Sequence, residues 1–141
     1  MQLNEEQRDL FTVPKEYILV HCISADLAMG AGIAKEFTKR GVKAELEKID
    51  KTIYVGSALN TQVTGWAGEV SLVTKPKYYH KPTYGTLSAS LLSLKACIQR
   101  DSKIAMPKIG CGLDRLDWVI VKQILTEIFN DTDVEILVCY I

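Results

Sequence analysis

Long hydrophobic runs are missing from this sequence. The longest unbroken one, Ile136 to Ile141, is six residues, against the ~18 that a membrane-spanning helix requires. Met1 to Arg8 is polar, with no apolar segment behind a basic start, so no secretory leader is expected and the chain reads as cytoplasmic, or nuclear in a eukaryote. Cysteine is scarce and scattered. Cys22, Cys97, Cys111 and Cys139 form no CxxC pair and are accompanied by only two histidines, which argues against a zinc site or a disulfide framework. They are expected to be free thiols, mostly buried.

Net charge is also absent. Seventeen basic and seventeen acidic side chains cancel, which excludes a uniformly basic nucleic-acid binder. Trp66 and Trp118 lack the aromatic interleaving of a single-strand stacking platform. Acidic residues are missing locally, because Ser71 to Arg100 has no Asp or Glu but carries Lys75, Lys77, Lys81, Lys95 and Arg100. That count fits either a positive surface for an anion or lysines solvated beside a loop.

What remains is ordinary globular material. The 141 residues are 48% apolar and 24% charged, and a chain of ~150 residues can bury roughly 70% of its unfolded surface. A single domain spanning residues 1–141 is expected.

Tyr17 to Ile23 is nearly continuous in strand formers, as in a strand covered on both faces. A glycine loop follows, then a helix over Ala34 to Arg40 that Gly41 stops, with Ile33 and Phe37 on one face. Val42 to Ile49 reads as a second short helix, and Ile53–Val55 and Val70–Thr74 as strands. Pro76, Pro82 and Gly85 make Lys75 to Thr86 a loop. Leu87, Leu91, Leu94 and Ile98 mark a helix across Thr86 to Arg100. Lys103–Met106 is a strand ending at Pro107, Asp117 caps a helix carrying Val121, Ile124, Leu125 and Ile128, and Val134–Ile141 is a closing strand. Strands alternating with helices predict an α/β fold with a mixed, mostly parallel sheet between helical layers.

In such sheets ligands bind beyond the carboxyl ends of strands. Ala28-Met-Gly-Ala-Gly-Ile-Ala34 could bring backbone N–H groups to a phosphate at a helix start, or simply be a tight turn, since it lacks the third glycine of a dinucleotide fingerprint. Pro107-Lys-Ile-Gly-Cys-Gly-Leu-Asp-Arg115 could form an anion nest opposite it. Together the two loops could grip a pyrophosphate. Asp114 is either a general acid or base beside that anion or the partner of Arg115. Lys75 ends a strand, where solvation is the default and a catalytic role needs burial or neighbouring cations. His21, inside an apolar strand, reads as a hydrogen-bonded core residue, and His80 as shaping its loop. Cys111 lies between two glycines with no adjacent histidine to activate it.

Five runs, in order, carry a likeness to a known family: His21-Cys-Ile-Ser24, Met29-Gly-Ala-Gly-Ile-Ala34, Thr74-Lys75, His80-Lys-Pro-Thr-Tyr84 and Met106-Pro-Lys-Ile-Gly-Cys-Gly-Leu-Asp-Arg-Leu116. The chain resembles a macrodomain, in the branch that holds the terminal ADP-ribose protein glycohydrolase and the antitoxins that reverse DNA ADP-ribosylation. The resemblance implies a three-layer α/β/α domain that binds ADP-ribose. It places Asp9 and Leu10 at the adenine, Ile23 and Ser24 along the ligand, Met29, Gly30, Ala31, Gly32 and Ile33 in the first phosphate loop, and Pro107, Ile109, Gly110, Cys111, Gly112 and Leu113 in the second. It makes Lys75 the nucleophile on the distal ribose and Asp114 the group that resolves the adduct, with no metal or cofactor.

The implied activity is an ADP-ribosyl hydrolase acting on acyl-linked conjugates of Glu or Asp, or on O-acetyl-ADP-ribose. Reversal of DNA ADP-ribosylation at the same site and a non-catalytic ADP-ribose reader are the alternatives. The expected partners are ADP-ribose and ADP-ribosylated protein, or ADP-ribosylated DNA under the first alternative, with no membrane and a monomeric state. This sequence departs from the family pattern at Arg8, where glycine is usual, and at Pro76 directly after the lysine.

Overall fold

The computed structural model describes all 141 residues. Six strands, β1 (Gln2–Gln7), β2 (Ile18–Ser24), β3 (Ala58–Thr61), β4 (Gly68–Lys75), β5 (Lys103–Met106) and β6 (Glu135–Tyr140), form one sheet in the order β1-β6-β5-β2-β4-β3. Every neighbouring pair is parallel except β3 with β4. Parallel strands need crossovers. Helices α1 (Gly32–Lys39), α2 (Val42–Glu47), α3 (Tyr84–Cys97) and α4 (Trp118–Phe129) supply cover on both faces.

The alternation of side chains along each strand decides which helix covers what. Val20, Val70, Leu72, Ile104, Met106, Ile136 and Val138 pack under Leu87, Leu91 and Leu94 of α3 and Val121, Leu125 and Phe129 of α4. The residues between them, Leu19, Ile23, Val73, Ala105, Leu137 and Cys139, face Phe37 of α1 and Val42 and Leu46 of α2. Because both faces are buried, the central strands read as continuous apolar runs. The result is the expected three-layer α/β/α arrangement.

Several boundaries differ from the sequence reading. Ile53–Val55 is not a strand; the third strand is Ala58–Thr61, entered through a turn at Gly56 with φ +95°. The apolar signal at Ile53 and Val55 comes from packing against the α1/α2 core, while Tyr54 faces solvent. Helix α3 begins at Tyr84 rather than Thr86, because Thr83 and Thr86 form a reciprocal capping box, and it ends at Cys97 rather than Arg100. Strand β1 has almost wholly exposed side chains and so no hydrophobic period; its backbone pairing with β6 alone defines it. The cysteines are free, but only Cys139 is buried, Cys22 and Cys111 are half-buried and Cys97 is exposed.

His21 sits in the core, as expected, and its partner is Glu69. Nε2 lies 3.0 Å from Glu69 Oε1 and 3.2 Å from Ser71 Oγ, and the Phe37 ring stacks on the imidazole at 3.9 Å. Ser71 Oγ and Thr61 Oγ1 each donate to the Glu69 carboxylate at 2.7 Å. Glu69 is only 1% exposed, so removing the acceptor strands two buried partners, His21 and Ser71, and the half-buried Thr61. Glu69→Ala is therefore expected to cost about 3 kcal/mol. The urea midpoint measures this, and a loss below about 1 kcal/mol would show that the network adds little to stability.

Candidate active site

Strands β5, β2 and β4 are adjacent and parallel, so their carboxyl ends lie side by side. Three loops leave that edge. The one after β2 runs into α1, the one after β4 begins at Lys75, and the one after β5 runs from Pro107 to Asp114. Between them lies a cleft of about 680 Å³, within the usual range for small-molecule sites.

The first loop ends in helix α1, whose cap residue Ala31 makes no side-chain hydrogen bond. The N–H groups that open the helix therefore have no side-chain cap where Gly30 to Ala34 line the cleft. Leu27 and Met29 both adopt positive φ, 56° and 47°, a strained choice for residues with side chains. In the second loop Gly110 has φ +72°, and a Cβ there would lie 2.8 Å from Leu116 Cδ1. Only glycine fits.

Lys75 and Asp114 meet across the cleft. Nζ donates to Asp114 Oδ1 at 2.7 Å, and the two side chains are only 15% and 16% exposed. Asp114 thus pairs with the strand-end lysine and not with Arg115. Pro76 does not turn the amine away. The two thiols nearby are poor rivals as nucleophiles. Burial, with the Asp114 carboxylate adding to it, pushes the Cys22 thiol up to about 12. Burial also raises Cys111, whose Sγ points to Ile109 O at 3.5 Å. Neither supplies much thiolate at neutral pH.

A second cleft of about 410 Å³ continues from the first, sharing Gly32, Ile33, Pro107 and Lys108 with it. Asp9 and Leu10 lie there. One Asp9 carboxylate oxygen already accepts from Phe11 N at 2.9 Å as the cap of the short turn Leu10–Thr12. Arg40 covers the Phe11 ring at 3.8 Å, and Arg8, the departure at this end, is held by Glu6 and Thr12. Phe11 belongs to the Asp9-Leu10-Phe11 stretch that shares in the family likeness, but Arg40, 29 positions away at the end of α1, meets it only through the fold.

Ile23, Ser24, Met29, Gly30, Ala31, Gly32, Ile33, Pro107, Ile109, Gly110, Cys111 and Leu113 all line the larger cleft beside Lys75 and Asp114. Gly112 does not. It opens the short turn Gly112–Asp114 with φ +75° and faces open space. The sequence reading did not single out Tyr78 or Lys108, which also line the cleft, nor Asp26, which borders it. The acid-free segment does not make one positive face: Lys75 pairs with Asp114 and Lys95 with Asp131, while Arg100 bonds the Asp131 carbonyl. Lys77 and Lys81 remain near the cleft, around the exposed Tyr78 and Tyr79, with Lys81 donating to the Leu113 carbonyl.

The Macro domain family model matches residues 20–125. ADP-ribose glycohydrolase OARD1 of Bos taurus is 40% identical over 145 residues, covering 92% of this chain and 86% of its own length, and the Homo sapiens protein of that name is 39% identical over the same spans. The macrodomain of Mycobacterium tuberculosis DarG superimposes with a TM-score of 0.88 at 24% identity, over 99% of this chain and 98% of that one. With the family pattern running through three-quarters of the sequence and the same architecture beneath it, this chain belongs to the macro domain family.

Proposed function

We propose that this macro domain is an ADP-ribosyl hydrolase in which Lys75 attacks the distal ribose and Asp114 moves the protons. The observation that carries the reading is the 2.7 Å contact between that amine and that carboxylate at the mouth of two glycine loops. Kinship of 40% to a protein named ADP-ribose glycohydrolase supports the substrate. The two joined clefts suit a ligand with a diphosphate in the middle. Its phosphates would meet the α1 N-terminus and the Gly110 cradle, its adenine Asp9 and Leu10, and its outer ribose Lys75.

The amine must be neutral to attack, and Asp114 is the base within reach of its proton. The Lys75 nitrogen then bonds to the anomeric carbon while the bond from that carbon to the acyl oxygen breaks and the carboxylate leaves. Opening of the ribose ring gives a Schiff base. Water adds to the same carbon with help from Asp114, the carbon–nitrogen bond breaks, and ADP-ribose departs with the amine restored. Fixing the phosphates removes much of the entropic cost of bringing amine and carbon together.

Acyl-linked glutamate or aspartate conjugates, and O-acetyl-ADP-ribose when its ester is on the anomeric oxygen, fit this chemistry through their carboxylate leaving group. A second reading takes the acceptor from nucleic acid. It is favoured by the exposed rings of Tyr78 and Tyr79, edge to face at 5.3 Å, with His80 against them and Lys77 and Lys81 on either side. Base stacking on such rings contributes ~1–3 kcal/mol per base. Borohydride trapping during turnover tests the mechanism: the peptide carrying Lys75 should gain the mass of ADP-ribose less one oxygen, because Schiff-base formation loses water and reduction adds two hydrogens. Turnover that proceeds with no adduct at Lys75 would overturn it. Running glutamate-linked protein and oligonucleotide conjugates side by side decides between the acceptors.

A further inference from the structure

We infer that Asp26 is a positioning residue, the joint that keeps Lys75 in register with the first glycine loop. This rests on the reading of Lys75 as the nucleophile. The carboxylate of Asp26 takes hydrogen bonds from both sides of the site. Oδ1 accepts from Ser24 Oγ and from Ala28 N at 3.1 Å, while Oδ2 accepts from Tyr78 N at 3.0 Å. Ala28 belongs to the first glycine loop, and Tyr78 stands three residues beyond Lys75.

The geometry around this joint shows what it restrains. Strands β2 and β4 slip register between Ile23 and Ser24, so that Ser24 sits opposite Lys75, and Ala25 N donates to Lys75 O at 2.9 Å. The strand ladder ends at this slip, and past it the chain after Lys75 is tied to the β2 side through Asp26. On the other side, Ala28 lies between Leu27 and Met29, both in the left-handed region. A backbone held in that conformation needs outside contacts to persist. Although desolvation opposes it, hydrogen bonds from Ser24, Tyr78 and Ala28 hold the Asp26 carboxyl below the usual carboxylate range. It therefore stays ionised, and a double acceptor, across the neutral range.

Asparagine cannot do the same work. Its amide has one acceptor oxygen, so whichever way it turns, its NH2 group faces either Ala28 N–H or Tyr78 N–H, and one loop is released. The orientation that leaves the amide oxygen toward Ser24 Oγ and Ala28 N keeps two of the three hydrogen bonds, so the segment after Lys75 is the one released, and the α1 N-terminus and the Gly110 cradle keep their contacts.

Asp26→Asn is expected to lower kcat about 10- to 100-fold, the scale for a reacting group displaced by about 1 Å, with KM and ADP-ribose affinity changed less than threefold. The rate of adduct formation at Lys75 should fall with kcat. Asp26→Ala should behave alike; if it fails to fold, the isosteric Asn variant carries the test, with its melting temperature as the control. Wild-type kcat in Asp26→Asn, or a fall in kcat no greater than the fall in ADP-ribose affinity, overturns the inference while an inactive Lys75→Ala leaves the mechanism standing. Full turnover in Lys75→Ala removes both.

Discussion

Lys75→Ala is expected to slow release of ADP-ribose from a glutamate-linked conjugate on the order of a thousandfold or more, because Lys75 is the amine paired with Asp114, whereas Lys81 faces the Leu113 carbonyl and Lys108 the Trp118 and Tyr140 rings. The nearest thiol, Cys22, is held un-ionised by its burial and by Asp114. Binding should change far less than turnover, since in the proposed complex the phosphates would meet backbone groups of the two loops that line the cleft rather than the amine. Calorimetry with ADP-ribose beside a rate measurement separates the two effects. A variant that turns over at the normal rate would transfer the chemistry to water activated by Asp114 and remove the lysine from the mechanism.

Gly110→Ala should be the most damaging single methyl group in the cleft. Two costs add. The residue is held at φ +72°, where an L side chain loses roughly 1–2 kcal/mol. The new Cβ would also sit 2.8 Å from Leu116 Cδ1 and 3.4 Å from Leu87 Cδ2, and Leu87 is fully buried in the core under α3. Relief by moving Leu116 is available, so the combined loss is about 2–4 kcal/mol. Because Leu116 N donates to Gly110 O at 2.8 Å, the shift must also disturb the cradle, and ADP-ribose affinity should fall tenfold or more. Urea unfolding and calorimetry check the two parts separately; unchanged stability would mean the loop has room that its geometry denies.

How far the sequence foretold this site depends on how local each signal is. Strands β2, β4 and β5 announce themselves because burial on both faces makes them largely apolar, and Asp117 is a cap that accepts a hydrogen bond from Val119 N two residues on. β1 could not be seen from hydropathy, since Gln2–Gln7 is held by backbone pairing and presents polar side chains. Ile53–Val55 misled because packing against a core and pairing in a sheet leave the same apolar trace. At the site, the glycine loops were visible as motifs, but spacing alone left Lys75 as a solvated strand end and Asp114 beside Arg115; the family resemblance moved both. Their meeting, like that of His21 with Glu69, joins segments 39 and 48 positions apart. Asp26 was passed over because a lone aspartate after a strand looks like any turn residue. Its significance lies in two backbone N–H groups, and backbone groups carry no letter.

The pairing of β1 with β6 also bears on how the chain comes to be folded. Gln2 aligns with Glu135 and Gln7 with Tyr140, and the terminal amine donates to the Thr132 carbonyl at 2.8 Å. During synthesis the β1 segment must therefore stay unpaired until the chain as far as Glu135 to Tyr140 has been made. Contacts so distant along the chain form slowly. That edge should be the last to close and, on unfolding, the first to open, and amide hydrogen exchange should find its protection weakest in Gln2 to Gln7.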